Sequence, residues 1–143
     1  MAMGYERAFV MQVLGSMTTF EGCSQEDLQL LADAVEGRSL VKTGDALCTE
    51  GDDADRWWVV IAGRAEAVAN GKTVGSIGKY EAVGELALFD DQPRSATVTA
   101  REDLDVLAFD KANFVGVIRS SPALAVTLLR SAARRLRETN ALV

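Results

Sequence analysis

The segment from residue 84 to residue 100, GELALFDDQPRSATVTA, combines side chains and backbone features that can bind a phosphorylated sugar. Gly84 lets a ligand approach the backbone closely, and the residues after it can present free N–H groups at the start of a short helix. Glu85 supplies a carboxylate acceptor, Arg94 a planar cation with several donors, and Ser95 a hydroxyl donor. The phosphate would take Arg94 and the N–H groups, and a ribose hydroxyl would take Glu85.

The composition excludes several other kinds of site. The chain has 143 residues, which fits one domain, and 15 basic against 21 acidic residues give a net charge of −6. Broad binding to nucleic acid or to an anionic membrane needs a basic surface and is therefore not expected. Because there is no histidine, Ser-His-Asp and Cys-His catalytic sites and HExxH zinc sites are impossible. We expect no metal, no cofactor and no catalysis.

The cysteines and the apolar runs predict a cytoplasmic location. Cys23 and Cys48 lack the CxxC spacing, and we interpret them as reduced thiols in or just below the core. No apolar run approaches the ~18 residues of a membrane span. The first residues, MAMGYERAF, lack the long apolar stretch of a signal peptide.

Three zones of the chain predict the elements that must position the site. Residues 1–37 are expected to be helical, residues 38–110 to form short strands, and residues 111–143 to be helical again. Many short strands separated by Gly and Asp turns favour an antiparallel barrel or jelly roll. We therefore predict a single α+β domain: an eight-stranded antiparallel β-roll with N-terminal helices, a short helical turn inside the segment described above, and C-terminal helices.

Local signals mark the ends of several elements. Ser24, three residues before Asp27, is typical of a helix N-cap, and Gly37 is a candidate C-cap. Asn70-Gly71 between two β-rich runs predicts a two-residue hairpin turn. Ser121-Pro122 predicts the start of the long C-terminal helix. In the strand that contains Trp57 and Trp58, we expect one ring on each face, one of them in the core and the other against a helix.

The run G-E-L-A-L, five further residues and R-S-A-T-V-x-A resembles the phosphate-binding cassette of cyclic nucleotide-binding domains. That family includes the catabolite activator protein, the regulatory subunits of protein kinase A and cyclic nucleotide-gated channels. Glu50-Gly51-Asp52 resembles a turn of the family, residues 59–63 a strand and turn, and residues 120–139 its C-terminal helix. The resemblance covers residues 15–140 and implies a β-roll that binds a cyclic nucleotide.

The resemblance implies a role for each matching residue. Glu85 should accept from the ribose 2′-OH, and Arg94 should pair with the cyclic phosphate. Apolar side chains should line the base, and the C-terminal helix should meet the adenine. The backbone N–H groups that complete the phosphate cradle are those near Leu86, Ala87, Ser95 and Ala96, the base-lining residues are Ala67 and Val74, and the adenine contacts are Thr139 and Asn140.

The sequence also departs from the family pattern. Family members often have Gly-Pro-Gly-Asp ahead of an aromatic residue and the Gly-Glu pair, whereas residues 78–83 here read GKYEAV. This change affects a turn but none of the phosphate contacts. Position 95 is Ser, and Thr there tends to accompany cyclic GMP. The expected ligand is therefore cyclic AMP, with cyclic GMP as the alternative.

Plainer interpretations stand beside these. Glu85 and Arg94 could form a structural ion pair in a roll that binds nothing, and Asp90 and Asp91 are expected to be solvated turn residues rather than catalytic acids. Gly71-Lys72-Thr73 lacks the first glycine of a phosphate-binding P-loop, because that position holds Glu66.

The final helix carries a basic run that has three interpretations. It could bind DNA, it could be a solvated face with favourable cations near the helix C-terminus, or one arginine could touch the nucleotide or a carboxylate near it. The solvated face fits the acidic chain best. The run consists of Arg130, Arg134, Arg135 and Arg137.

The same helix carries two apolar stripes. Leu124 and Leu128 could dock on the roll. The second stripe follows a short heptad, so that it could pair with a second copy of the chain or cover the ligand as a lid. Its members are Ala125, Leu129, Ala132, Leu136, Thr139 and Val143.

Together these features predict a ligand-sensing regulatory domain of bacterial origin that is not an enzyme. Ligand would favour a closed state in which the cassette moves inward and a hinge near residues 109–121 lets the last helix swing over the base. The chain would be a stand-alone sensor or part of a larger protein whose effector is unknown. The rivals are a docking or dimerisation module without nucleotide and the sensor half of a transcription regulator.

Overall fold

The computed structural model describes residues 4–85 and 90–139. The chain begins with two helices separated by a single 3-10 turn. Ser24 caps the second helix, because its side chain accepts from the Asp27 N–H while the Asp27 carboxylate accepts from the Ser24 N–H. This reciprocal capping box confirms the predicted helix start. The elements are α1 (Gly4–Gly15), the 3-10 turn (Thr18–Phe20) and α2 (Gln25–Ala32).

Eight strands follow and form two four-stranded antiparallel sheets, which confirms the predicted β-roll. The first sheet has the order β1-β8-β3-β6 and the second the order β2-β7-β4-β5. The strands are β1 (Val35–Val41), β2 (Ala46–Cys48), β3 (Arg56–Ala62), β4 (Ala65–Ala69), β5 (Lys72–Ile77), β6 (Ala82–Val83), β7 (Thr97–Ala100) and β8 (Leu104–Asp110).

The hairpin predicted at Asn70-Gly71 joins β4 to β5. Both residues have positive φ angles, 53° and 78°. A two-residue turn with positive φ at both positions matches the right-handed twist of the strands that it connects. A register shift lies next to it, between Ala67 and Val68 of β4.

The prediction that Gly37 ends a helix is wrong. Helix α2 ends at Ala32 with Asp33 as its C-cap, and Gly37 lies inside β1, opposite Ala108 of β8. The cause is long-range pairing: β8 hydrogen-bonds to the chain from Val35 onward, and a register shift between Val35 and Gly37 accommodates the entry into the sheet.

The two adjacent tryptophans of β3 belong to two different cores. Trp57 packs in the cluster between the roll and the helices, where its ring stacks on Phe109 at 4.5 Å between centroids and meets Phe114 edge-on at 5.0 Å. Trp58 points to the other face, into the cluster between the two sheets. The expectation of one ring per face is therefore confirmed.

Two C-terminal helices, α3 (Lys111–Ser120) and α4 (Pro122–Thr139), close the fold. The Ser121 hydroxyl accepts from the Leu124 N–H, as expected for the start of α4. Leu124 and Leu128 are buried in the core beside the N-terminal helices. No single described helix is long and apolar enough to cross a membrane. Helices α3 and α4 reach the required length and apolarity only when they are taken together, and the chain bends by 111° between them. Buried core helices of other proteins can have the same length and composition.

Candidate functional site

A cavity of about 270 Å³ opens between the end of β6, the segment before β7 and the second sheet. This volume is near the lower end of the range of small-molecule sites, roughly 300 to 1,000 Å³. The predicted residues Gly84, Glu85, Arg94, Ser95 and Ala96 all line it. Five of the eleven predicted site residues thus meet at one cavity.

Arg94 is the central side chain of this cavity. It is only 7% exposed. Its Nη2 donates to the backbone carbonyl of Arg56 at 2.6 Å, and its guanidinium lies 5.0 Å from the centroid of the Trp58 ring. Its Nη1 is buried and, among the described residues, has no hydrogen-bond partner. Because a guanidinium stays charged, one edge of a buried cation is left without an acceptor.

The backbone of Arg94 is fixed by the turn at residues 50–52. The Arg94 N–H donates to the Asp52 carbonyl at 2.8 Å, and the Gly51 N–H donates to the Arg94 carbonyl at 2.9 Å. The left-handed φ of 89° at Gly51 shapes this turn. The motif Glu50-Gly51-Asp52, which sequence reasoning noted only as part of the resemblance, therefore positions the cation.

Gly84 is required for the approach of Arg94. Its φ is 79°, which favours glycine, and a Cβ at this position would overlap Nη1 of Arg94 and lie 3.6 Å from the Arg56 carbonyl oxygen. Strand β6 reaches this point through pairing of Val83 with Trp58. The wall of the cavity and its cation therefore fit only with a glycine at position 84.

Glu85 does not pair with Arg94, so the alternative of a structural ion pair between them is not what the structure shows. The Thr19 hydroxyl donates to Glu85 Oε2 at 2.6 Å, and Nη1 of Arg135 in α4 lies 3.7 Å from Glu85 Oε1. The half-buried carboxylate also lines a second cavity of about 430 Å³ beside the 3-10 turn and residues 77–82. One of the four basic residues of the final helix thus touches a site carboxylate.

Sequence reasoning missed several residues around the cavity. Thr19 and Trp58 meet the site from distant parts of the chain, and no local pattern signals such contacts. Cys48 also lines the cavity, and its thiol donates to the Ala96 carbonyl at 3.7 Å. Burial raises the pKa of the Cys48 thiol, and the charge of Arg94 offsets part of that rise. Cys23 lies outside the cavity, and burial together with nearby Asp27 raises its pKa to about 11.

The remaining predicted residues are not among the described residues that line the cavity. Ala67 is half-buried in β4 opposite Val98, which does line it. Val74 is 62% exposed in β5 and has no direct partner in the strand register. Leu86, Ala87 and Asn140 lie outside the described residues, as does most of the predicted helical turn, and Thr139 is the last residue of α4.

Helix α4 lies against the 3-10 turn and not over the cavity. The buried hydroxyl of Ser131 donates to the Thr18 carbonyl at 2.9 Å, and Arg134 pairs with Glu21 at 3.0 Å. No described residue of α4 lines the cavity near Arg94. The predicted lid, in which α4 covers the ligand, would require α4 to take a position different from the one in this structure.

The structure is a small β-roll with a buried cation in the wall of its cavity, and comparison with known proteins identifies its class. Residues 38–121, more than half of the chain, match the family described as the cyclic nucleotide-binding domain, so the chain belongs to that family.

Individual relatives agree with this assignment. The cyclic AMP receptor protein of Thermus thermophilus is 30% identical over 126 residues, which are 85% of this chain and 58% of that protein. A cAMP-dependent protein kinase regulatory subunit of Yarrowia lipolytica is 38% identical over 86 residues, 59% of this chain and 23% of that protein. The chain thus spans little more than half of the first relative and about a quarter of the second.

A solved structure matches almost the whole fold. The N-terminal domain of a transcriptional regulator from Streptomyces coelicolor A3(2) superposes with a TM-score of 0.78 at 33% identity, covering 92% of this chain and 96% of that domain. The arrangement of two four-stranded sheets with helices at both ends is therefore a known architecture of this family.

Proposed function

We propose that this chain binds a 3′,5′-cyclic nucleotide, cyclic AMP in preference to cyclic GMP, and acts as a regulatory sensing domain rather than as a catalyst. The observation that carries the proposal is the buried guanidinium of Arg94 in the wall of the cavity, whose Nη1 has no hydrogen-bond partner among the described residues. A buried cation costs several kcal/mol unless it is paired, so an anionic ligand is the natural partner of this nitrogen. The similarity to a cyclic AMP receptor protein and to a cAMP-dependent protein kinase regulatory subunit supports the choice of nucleotide.

The resemblance to the family implies how the ligand is oriented. The cyclic phosphate takes Nη1 of Arg94 and the N–H groups near Leu86, Ala87, Ser95 and Ala96. The ribose hydroxyl takes Glu85. The base extends toward β4 and β5, where Ala67 is half-buried and Val74 is exposed enough to be covered by a ligand.

Signalling requires that the ligand favour one arrangement of the cassette and α4. In the arrangement described above, Ser131 and Arg134 hold α4 to the 3-10 turn. Movement of α4 toward the base, with contacts from Thr139 and Asn140, would have to break these bonds. The nucleotide can shift this equilibrium only by its difference in affinity for the two states.

A thermal shift series tests the proposal. Cyclic AMP, cyclic GMP and 5′-AMP are added separately to the purified chain, and the melting temperature is followed against ligand concentration. Ligand that binds only the folded state adds about 2.7 kcal/mol to the free energy of unfolding at 100 times Kd, and the melting temperature rises as a result. We expect the largest shift with cyclic AMP and none with 5′-AMP. No shift with either cyclic nucleotide would favour the docking-module interpretation.

Cys48 provides a chemical footprint of the same cavity. Because only the thiolate is reactive, alkylation by iodoacetamide should be slow at pH 7 for both cysteines and should accelerate as pH rises through their raised pKa values. Cyclic AMP at about ten times Kd should protect Cys48 about tenfold. Peptide mass spectrometry measures both cysteines together, and Cys23 serves as the control. Equal protection of both, or of neither, would argue against ligand in this cavity.

We also propose that α4 pairs with a second copy of the chain. Leu129 and Leu136 are 69% and 61% exposed on the heptad stripe of this helix. Burial of two such stripes against each other removes apolar surface from water.

Sedimentation of variants checks the pairing. Leu129→Glu should convert a dimer to a monomer, because it places a charge in the apolar seam. Leu30→Glu, at a leucine of α2 that is 42% exposed, should leave the dimer intact. A chain that sediments as a monomer without any substitution contradicts the pairing but leaves nucleotide binding in place.

A further inference from the structure

The carboxylate of Glu85 is held by two groups that belong to different ends of the chain. Thr19, in the 3-10 turn, is buried and donates to Oε2 at 2.6 Å. Arg135, in α4, faces Oε1 at 3.7 Å. The first contact is a short hydrogen bond and the second a long ion pair, so the two oxygens are held with unequal strength.

The unequal contacts decide which oxygen a ligand can use. The bond from Thr19 fixes the carboxylate through Oε2. Among the described residues, Oε1 has the longer contact from Arg135, whose side chain is 33% exposed. The more weakly held Oε1 is therefore the better acceptor for a ribose hydroxyl, and it is the oxygen that Arg135 contacts.

We propose that Arg135 competes with the ribose hydroxyl of the nucleotide for Oε1 of Glu85, so that this arginine lowers the affinity of the site. The inference rests on the proposed function, because it assumes that a cyclic nucleotide occupies the cavity. Arg135 thereby acts as a specificity-determining residue: the ligand gains this contact only by displacing the side chain of Arg135.

The neighbouring Arg134 provides a matched control. It lies on the same helix, one residue earlier, and pairs with Glu21 at 3.0 Å instead of with Glu85. Both pairs are partly exposed at the surface of α4. Arg134→Gln and Arg135→Gln each remove one positive charge from the same region. General attraction of an anionic ligand therefore weakens similarly in both variants, and their difference isolates the contact with Glu85.

A calorimetric titration of the two variants with cyclic AMP tests the competition. Loss of a partly exposed ion pair corresponds to about two- to fivefold in affinity, so Arg135→Gln should bind that much more tightly than Arg134→Gln. Equal affinity, or weaker binding by Arg135→Gln, overturns the inference. Melting curves without ligand verify that both variants are folded.

A ligand without the ribose 2′-hydroxyl provides a second test of the competition at Oε1. With 2′-deoxy cyclic AMP there is no ribose hydroxyl to compete, and the advantage of Arg135→Gln over Arg134→Gln should disappear. An advantage that persists with the deoxy ligand contradicts competition at Oε1. If the unsubstituted chain binds neither nucleotide, the proposed function itself fails; if it binds and the two variants are equal, only this inference fails.

Discussion

Arg94→Ala should lower the affinity for cyclic AMP by about 100- to 1,000-fold, which corresponds to about 3 to 4 kcal/mol. The reason is that the substitution removes the buried cation that lines the cavity and whose Nη1 has no hydrogen-bond partner among the described residues. Arg94→Lys keeps the charge but loses the planar fork, in which Nη2 donates to the Arg56 carbonyl and Nη1 has no partner among the described residues. We expect it to bind with intermediate affinity, as measured by equilibrium dialysis.

Arg101→Ala is the matched control for this loss. Arg101 is an exposed arginine that pairs with Glu66 and does not line the cavity. Its removal should leave the affinity within about twofold of the unsubstituted chain, because exposed ion pairs contribute little. If Arg94→Ala, folded by circular dichroism, bound as tightly as Arg101→Ala, the assignment of the phosphate to Arg94 would be wrong.

Gly84→Ala should abolish most of the binding although it adds only a methyl group. The added Cβ would overlap Nη1 of Arg94, so the guanidinium would have to leave its position above Trp58. The loss should approach that of Arg94→Ala, at least about 100-fold in Kd. The positive φ of 79° adds a stability cost of about 1 to 2 kcal/mol, visible as a lower melting temperature.

Gly37→Ala is the control that distinguishes the overlap of the Gly84 Cβ with Arg94 from a general effect of replacing a glycine. Gly37 lies in β1 and has open space around its Cα. We expect unchanged affinity in this variant. The account of Gly84 is contradicted if Gly84→Ala remains folded and binds cyclic AMP as tightly as Gly37→Ala.

Local chemistry in the sequence predicted much of the fold. The capping box at Ser24, the hairpin turn at Asn70-Gly71 and the alternating faces of Trp57 and Trp58 each depend on residues close in the chain. These features can be predicted from the sequence because capping, turn formation and strand alternation are short-range effects. The extension of β1 back to Val35 was missed because pairing with β8, a strand distant in sequence, decides it.

The part of the site that lies within one short segment was likewise predictable from the sequence. Gly84, Glu85 and Arg94 lie within one short segment, and their chemistry indicates an anion site. The partners that hold them come from elsewhere: Thr19 is 66 residues from Glu85, and the carbonyl of Arg56 is 38 residues from Arg94. Contacts of this kind follow from the tertiary fold, and residue types and spacing do not encode them locally.

Calorimetric titration of the ligand-stripped chain with cyclic AMP is the most direct test of the central claim. The protein is unfolded, dialysed and refolded to remove bound nucleotide, and its folding is verified before the titration. The account predicts saturable heat with one nucleotide per chain, tighter for cyclic AMP than for cyclic GMP. Absence of heat with both nucleotides from the folded, stripped protein would contradict it and would favour the docking-module interpretation.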